Sequence, residues 1–144
     1  MMEFPVRIPF VEHLGLKLDH MADGRAVLLL DPQAEHHNSF DVVHGGVSMT
    51  LLDVVMAHAA RSLSPDMGVV TIELKTSFMR PALGALRAEG NLLHRTATMA
   101  FTEGRIVDAK GQVCSRATGT FKYVKRLPVG TKQAHDLNPP PATD

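Results

Sequence analysis

The stretch from Val47 to Leu63 constrains the fold of this chain more than any other feature. It consists mainly of Leu, Met, Ala and Val, lacks Pro and Gly, and ends before Ser64-Pro65, so it predicts one long helix. From Val47 to Ala60 this helix would be apolar on nearly every side, with Asp53 as its only formally charged residue. A helix that is apolar all round has to be wrapped by other elements. A sheet curling around a single central helix meets that demand.

Strand-like segments flank the predicted helix on both sides. Two come before it, at 11–20 and 25–31, separated by the turn pair Asp23-Gly24. Four come after it, and they are Val69–Met79, Leu86–Thr96, Ala97–Asp108 and Gln112–Val124. Gly119, inside the last of them, predicts a bulge or a close approach by another backbone. This order predicts an α+β domain with a single helix laid on an antiparallel sheet of about six strands.

The strand predicted directly after the helix alternates regularly between apolar and polar residues. Because successive side chains of a strand point to opposite faces, the alternation defines two sets of residues. One face would contain Val70, Ile72, Leu74 and Phe78, and the other would contain Thr71, Glu73, Lys75 and Ser77.

Chain length predicts a single domain. With 144 residues, 44% of them hydrophobic, the chain suffices for one ordinary domain and is too small for two. We predict that the domain occupies residues 1–126. Residues 127–144, which include Pro139-Pro140-Pro141, are predicted to form a flexible, Pro-rich tail.

Composition also narrows the partners and the location. Lys and Arg total 15, as do Asp and Glu, so no excess of positive charge favours a nucleic acid. Residues 1–10 contain Glu3, Arg7 and two prolines, which fits neither a signal peptide nor a membrane anchor. Cys114, the single cysteine, cannot form an internal disulfide, which fits a reducing cytosol. We therefore expect a cytoplasmic protein that binds neither nucleic acid nor membrane.

Asp53 stands out because an ionised carboxylate is costly to bury unless it is paired or hydrogen-bonded. Its neighbours at helical spacing are Met49, Thr50, Met56 and Ala57, and none of them is cationic. Two hypotheses stay open. Asp53 either pairs with a basic strand residue or points to solvent at an edge, or it is a catalytic carboxylate in a cleft.

The triplet His44-Gly45-Gly46, which precedes the helix, favours the catalytic hypothesis. Glycines at a helix start leave the first N–H groups open at the positive end of the dipole, where they can polarise a carbonyl. The glycines could equally serve only a tight turn. Gly45 and Asp53 are eight residues apart, about 12 Å along a helix, so they cannot both touch one carbonyl. If both are catalytic, they come from different subunits across a two-fold axis, which predicts at least a dimer.

The combined pattern of Asn38, His44-Gly45-Gly46 and Asp53 resembles the hot-dog thioesterase superfamily, in particular the branch of the phenylacetate-pathway thioesterases and thioesterase superfamily member 2. The similarity extends from about Val11 to Val124 and includes the strand 70–82. It implies a hot-dog fold, in which a curved antiparallel sheet wraps one long helix. It also implies hydrolysis of acyl-CoA by a homotetramer built as a dimer of dimers, with no cofactor beyond the CoA of the substrate. An acyl carrier protein stays open as the alternative thiol carrier.

Four residues acquire catalytic roles through this resemblance. Asp53 would activate water as a general base or attack the thioester as a nucleophile. Gly45 would donate its backbone N–H to the thioester carbonyl, and the Asn38 amide would help to arrange the thioester and the water. Thr71 would orient the water through its hydroxyl.

Four further residues become candidates for substrate binding. Arg80 and Arg95 match strand positions near the nucleotide end of CoA, although an Arg on a strand is more commonly only solvated. His44 and Gly46 would contact the substrate at the helix start, and His44 is also expected to hydrogen-bond backbone there.

The sequence departs from the resembling proteins at Asp41 and His94, where those proteins usually have Gly. These departures concern the shape of the substrate site and the orientation of CoA, and they remove no catalytic group. Asp at position 53, where a related branch has Glu, fits the phenylacetate-type branch.

Other site chemistries have weaker support. His36, His37, Asp41 and His44 lack a defined ligand spacing, so no metal site is predicted. His58 is predicted to be a core or interface histidine. Ser48 and Cys114 lack the sequence context of activated nucleophiles. A non-hydrolytic acyl-CoA binding or sensing protein on the same fold is the alternative function.

Overall fold

The computed structural model describes residues 1–137, which contain two α-helices and six β-strands. The helices are α1 (Pro9–Leu14) and α2 (Gly45–Arg61). The strands are β1 (Lys17–Ala22), β2 (Arg25–Leu30), β3 (Gly68–Phe78), β4 (Leu86–Arg95), β5 (Met99–Val107) and β6 (Val113–Val124). All strands form one antiparallel sheet in the order β1-β2-β4-β5-β6-β3. The prediction of an α+β domain, with one long helix on a six-stranded sheet, is confirmed.

Helix α2 lies in the concave side of the curved sheet and contacts all six strands. Leu51, Leu52, Val55 and Met56 are fully buried, as expected for a helix that is apolar on nearly every side. The helix begins two residues earlier than predicted, at Gly45, and the chain leaves it at Ser62 before the predicted stop at Ser64-Pro65. The hydrophobic core is thus formed between α2 and the inner face of the sheet.

Glycines in three strands let the sheet approach α2 closely. A Cβ atom at Gly90 would lie 2.7 Å from the Val55 carbonyl oxygen, and one at Gly104 would lie 3.1 Å from the Met56 side chain. At Gly119 a Cβ atom would lie 2.9 Å from the Phe121 ring. The close approach predicted at Gly119 is therefore present, but side chains make it, and the backbone approach occurs at Gly90.

The segment 11–20 is a correction to the predicted strand order. Its first part belongs to α1, which has Pro9 at its start and ends at Gly15 with φ +75°. Proline suits the first turn of a helix and glycine suits the left-handed position after it. The strand β1 starts only at Lys17.

The two faces predicted for the strand after α2 are correct beyond Ile72 and wrong before it. The pairing of β3 with β6 shifts between Thr71 and Glu73, so Ile72 forms a bulge. Val69 and Leu74 both pack against the core, and Thr71 hydrogen-bonds to α2, whereas Ile72 is 56% exposed. The bulge therefore places Thr71 on the inner face together with Leu74, which a strict alternation would separate.

The predicted C-terminal tail is described only in part. Residues 127–137 include a 3-10 turn, Ala134–Asp136, and a bridge between Arg126 and Gln133. Pro139-Pro140-Pro141 lie outside the described residues, so the flexibility of the tail stays a prediction. Within residues 1–137, no helix has both the length and the apolar character needed to cross a membrane.

Candidate active site

The start of α2 presents one open backbone donor. His44 is the N-cap residue, and its Nδ1 accepts a hydrogen bond of 2.8 Å from the Gly46 N–H, which confirms the expected backbone contact. The N–H groups of Val47 and Ser48 donate to the His44 carbonyl. The Gly45 N–H meets no acceptor among residues 1–137. Gly45 therefore keeps a free donor at the positive end of α2, whereas the N–H of Gly46 is occupied.

Asn38 organises the loop that faces this donor. Its Oδ1 accepts hydrogen bonds from the N–H groups of Phe40, at 2.9 Å, and Val42, at 3.4 Å. Its amide NH₂ has no acceptor within the described part of the chain. Asp41 has φ +58°, a left-handed conformation that glycine favours and aspartate tolerates. The loop thus accommodates Asp41 and leaves the Asn38 amide donors available.

A cavity of about 340 Å³ opens beside Gly45. It brings together three of the predicted residues, Asn38, Gly45 and Arg80. At this cavity the Arg80 Nη1 donates to the Val113 carbonyl at 2.8 Å. A Cβ atom at Gly45 would lie 3.5 Å from the Phe78 ring, an ordinary contact. The position therefore tolerates a side chain, and the relevant property of Gly45 is its free N–H.

Asp53 lies in a separate place, beside β3. The Thr71 hydroxyl donates to its Oδ1 at 2.6 Å. Among residues 1–137, no Lys, Arg or His lies within ion-pair distance of Asp53, so the hypothesis of a basic partner within the described chain is wrong. Burial raises the pKa of the half-buried carboxyl, and the Thr71 hydrogen bond opposes that rise. Within residues 1–137, the Asp53 carboxyl group therefore has a hydrogen-bond donor but no cationic partner.

The strand beside Asp53 is an edge of the sheet. Among residues 1–137, β3 pairs only with β6, so its other side offers backbone groups that have no partner in that part of the chain. It is 11 residues long, and its Ile72 and Phe78 side chains are more than half exposed. The opposite edge strand, β1, has six residues, and Met2 pairs with Leu18 on its outer side. A long, apolar, unpaired edge is typical of a surface that another chain covers.

The two predicted phosphate contacts lie at opposite ends of α2. Arg80 lies beside the helix start, whereas the Arg95 Nη1 donates to the Leu63 carbonyl at 3.0 Å and to the Ser64 hydroxyl at 2.8 Å. A helix of 17 residues is about 25 Å long. One subunit therefore does not bring the two arginines together.

Comparison with known proteins identifies the family. The thioesterase superfamily model matches residues 40–115. A protein named as an esterase in Saccharolobus solfataricus is 32% identical over 120 residues, covering 83% of this chain and 85% of that one. The chain belongs to the thioesterase superfamily. The predicted family and the predicted thioester hydrolase activity are thereby confirmed.

Two further relatives show how far the likeness extends. Acyl-coenzyme A thioesterase 13 of Homo sapiens is 25% identical over 108 residues, covering 74% of this chain and 75% of that one. The E. coli PaaI protein, from the phenylacetic acid degradation operon, superposes with a TM-score of 0.75. At 22% identity, with 80% of this chain and 83% of that chain covered, this likeness shows the fold alone. It confirms the expected hot-dog fold.

Other polar residues of this thioesterase superfamily member have structural contacts. The Nδ1 of His36 accepts a hydrogen bond of 2.9 Å from the Gln33 N–H, and His94 stacks on Phe101. His58 is buried with its Nδ1 2.7 Å from the Val54 carbonyl, which confirms it as a core histidine; burial lowers its pKa. Within residues 1–137, the His, Cys, Asp and Glu side chains form no group of three that could hold a metal.

Two polar residues of the cavity were not predicted as part of the site. Ser48 lies three residues after Gly45, so helical spacing alone places it on the same side of α2. Ser115 comes from β6, far away in the sequence, and no sequence pattern connects it to the cavity.

Proposed function

We propose that this protein hydrolyses acyl-CoA thioesters in active sites that combine residues from two subunits. The main support is the separation of two incomplete sets of groups on α2. Within residues 1–137, the Gly45 N–H beside the cavity has no acceptor, and the Asp53 carboxylate has no cationic partner. The eight residues between them span about 12 Å of helix, too far for one thioester carbonyl.

In the proposed reaction, the Gly45 N–H donates to the thioester oxygen, and the Asn38 amide assists nearby. Negative charge develops on that oxygen when the carbonyl carbon becomes tetrahedral, and fixed donors stabilise it. Asp53 of the other subunit accepts a proton from the attacking water, or attacks the carbon itself before water releases the acyl group. The Thr71 hydroxyl orients the water or the carboxylate. The C–S bond then breaks, and the thiolate of CoA leaves and gains a proton.

The pKa of Asp53 suits this role. A carboxylate with a raised pKa is a stronger base at neutral pH than an exposed aspartate, provided that it remains ionised. The opposing hydrogen bond from Thr71 favours the ionised form. Burial would make the Asp53 carboxylate more basic, and the Thr71 hydrogen bond would keep it ionised.

The exposed edge of β3 supports the proposed dimer. Antiparallel pairing of two β3 strands across a two-fold axis would satisfy their unpaired backbone groups and cover Ile72 and Phe78. The two copies of α2 would then run in opposite directions. Asp53 of one subunit would face the Gly45 end of the other, giving two equivalent sites. A tetramer made of two such dimers remains our expectation.

The same antiparallel arrangement gives the two arginines a joint role. Arg80 lies near the start of α2 and Arg95 near its end. In the proposed dimer, Arg95 of one subunit would approach the Arg80 end of the other, where both could bind the phosphates of CoA. The name of the human relative, acyl-coenzyme A thioesterase 13, supports CoA as the thiol carrier.

The proposal is tested by release of free thiol from a panel of acyl-CoAs. Asp53→Asn is expected to lower kcat by about 10²- to 10⁴-fold, because it removes the base or nucleophile while keeping the shape. The oligomer size, measured by light scattering, should stay unchanged. Equal rates for wild type and variant would contradict the proposed role, and no thiol release by the wild type would favour the binding-protein alternative.

Mixed oligomers test whether each site uses two subunits. Gly45→Pro removes the N–H, and proline suits the first helical position. Co-expression of Asp53→Asn with Gly45→Pro should form mixed dimers in which one site has both native groups. We expect about a quarter of wild-type activity from random pairing of inactive subunits. If each subunit held a complete site, mixing would restore nothing.

A further inference from the structure

We propose that Ser48 and Ser115 form the floor of an acyl subsite that binds a neutral hydrogen-bonding group of the substrate. The preferred substrates would then be acyl-CoAs whose acyl group has a hydroxyl or keto substituent, in preference to plain alkyl chains. This inference rests on the proposed function and names its substrate class.

Burial of the two serines is the first step of the argument. Ser48 is 2% exposed and Ser115 is 1% exposed, and both line the cavity beside Gly45. Within the part of the chain that the structure describes, neither hydroxyl makes a hydrogen bond. Both also differ from the Thr76 hydroxyl, which is fully enclosed without a partner. The serine hydroxyls are therefore accessible only from the cavity.

A ligand in this cavity has to satisfy those hydroxyls. A buried polar group without a partner is costly, and water can satisfy it in the free protein. A substrate group that displaces such water without replacing its hydrogen bonds loses affinity. A hydroxyl or keto group on the substrate would replace them, whereas a methyl group would not.

The geometry assigns this cavity to the acyl part of the substrate. Gly45, whose N–H is proposed to bind the thioester oxygen, lines the cavity together with the buried Ser48 and Ser115. The CoA side of the thioester continues into a long arm and a nucleotide, so it has to leave toward solvent. Arg80 is exposed, so it stays available to the phosphates of CoA, and the buried floor of the cavity is left for the acyl group.

The lining indicates a neutral substituent. Val43, Phe78 and Ala82 provide apolar walls, and the two serines are the polar residues of the floor. The cationic Arg80 is exposed, and one of its guanidinium nitrogens already donates to the Val113 carbonyl. A serine hydroxyl can both donate and accept, so it can bind a hydroxyl or a keto oxygen equally well.

The test compares matched substrates. Butanoyl-CoA and hexanoyl-CoA are compared with their analogues that have a hydroxyl at successive carbons, using free-thiol release. For at least one hydroxyl position, the wild type should show a kcat/KM about tenfold or more above that of the plain chain. In a double variant, Ser48→Ala with Ser115→Ala, this ratio should fall to about one.

Matched controls separate substrate binding from stability. Thr76→Val also removes a buried hydroxyl without a partner, but Thr76 does not line the cavity. It should leave the substrate ratio unchanged. The serine double variant should unfold at the wild-type temperature or above it, because it breaks no hydrogen bond within residues 1–137. A marked loss of thermal stability in the serine variant would point to a structural role and overturn the proposal.

Two results would refute the subsite while leaving hydrolysis intact. One is an equal kcat/KM for every hydroxylated and plain pair, and the other is a preference that survives in the double variant. A preference for succinyl-CoA that persists there would assign selectivity to Arg80 instead.

Binding decides the question even without turnover. In an Asp53→Asn background, calorimetry should show tighter binding of the hydroxyacyl-CoA than of the plain acyl-CoA. Adding the two serine substitutions should abolish the difference. Equal binding of both ligands to the Asp53→Asn protein that keeps both serines would overturn the proposed subsite. Failure of hydrolysis alone would overturn only the proposed reaction.

Discussion

The two sets of groups on α2 are built in different ways. At the helix start, the donors belong to the backbone of Gly45 and to the Asn38 amide, and the His44 cap and an Asn38-centred loop hold them in place. Farther along the helix, Asp53 is an ionisable side chain that receives one hydrogen bond, from Thr71. The first set consists of fixed dipoles, and the second is a charge that burial disfavours.

This difference shows where the proposed active site costs stability. A backbone N–H at the first turn of a helix has no acceptor within its own helix, so presenting it to a substrate breaks no helical hydrogen bond and adds little cost. A half-buried carboxylate without a cation disfavours the folded state whenever it is ionised. The helix start can therefore be altered with little effect on folding. Asp53, in contrast, lowers the stability of the fold when it is ionised, which is the form that the proposed reaction requires.

The largest effect expected from a change at the helix start separates the contribution of the Gly45 N–H from that of the space at Gly45. Gly45→Pro removes the N–H, and His44, with φ −59° and ψ 138°, already has the conformation that a following proline requires. We expect kcat to fall by about 10²- to 10³-fold, the usual effect of removing one oxyanion donor. Free-thiol release provides the measurement.

Gly45→Ala is the matched control, because it adds a Cβ atom at an ordinary contact distance of 3.5 Å from Phe78 and keeps the N–H. It should retain most of the activity. Equal losses in both variants would show that space at Gly45, and not its N–H, matters for turnover.

The helix start and the Asp53 region also differ in how well the sequence predicts them. The long apolar stretch predicts α2, its burial and the lack of a cationic partner for Asp53 within the helix, because these depend on periodicity and charge within one element. The His44 cap follows from the position of the triplet at the helix start. The contact of Thr71 with Asp53 depends on the bulge at Ile72, which a regular alternation does not reveal. Thr71 was predicted as a catalytic residue only because its position matches one in the resembling family.

The cavity lies beyond what sequence patterns predict. Its lining comes from the Asn38 loop, α2, the end of β3 and the start of β6, so its shape depends on tertiary packing. The position of Ser48 beside Gly45 can be predicted from helical spacing, but the position of Ser115 cannot. The segment 11–20 shows the same limit at a local level, since a helix of six residues, α1, leaves too short a pattern to separate from a strand.

A smaller effect is expected from the support that Thr71 gives to Asp53. Thr71→Val removes the hydroxyl, so we expect kcat/KM at neutral pH to fall by about tenfold to a hundredfold, the typical worth of a hydrogen bond to a charged group. This hydrogen bond lowers the pKa of Asp53 against the effect of burial. Its loss should raise that pKa further, so the acidic limb of the kcat/KM profile should move to higher pH.

Thr71→Ser keeps the hydroxyl and should keep the pH profile in place. If Thr71→Val lowered kcat/KM without moving the acidic limb, Thr71 would act on the water and not on the ionisation of Asp53.

The smallest expected effect concerns the stability cost of the carboxylate. The pKa of Asp53 is raised in the fold above its ordinary value of 3.8. The unfolded chain therefore loses this proton more readily, so the carboxyl weakens the fold as the pH rises through its folded pKa, and the cost is absent below 3.8. Asp53→Asn should raise the Tm at pH 7 by on the order of 1–3 °C, and the gain should vanish toward acidic pH. Calorimetry at several pH values measures this, with Thr76→Val as a pH-independent reference. A lower Tm at neutral pH would mean that the ionised carboxylate stabilises the fold, and the contrast between a low-cost set of donors and a costly carboxylate would then be wrong.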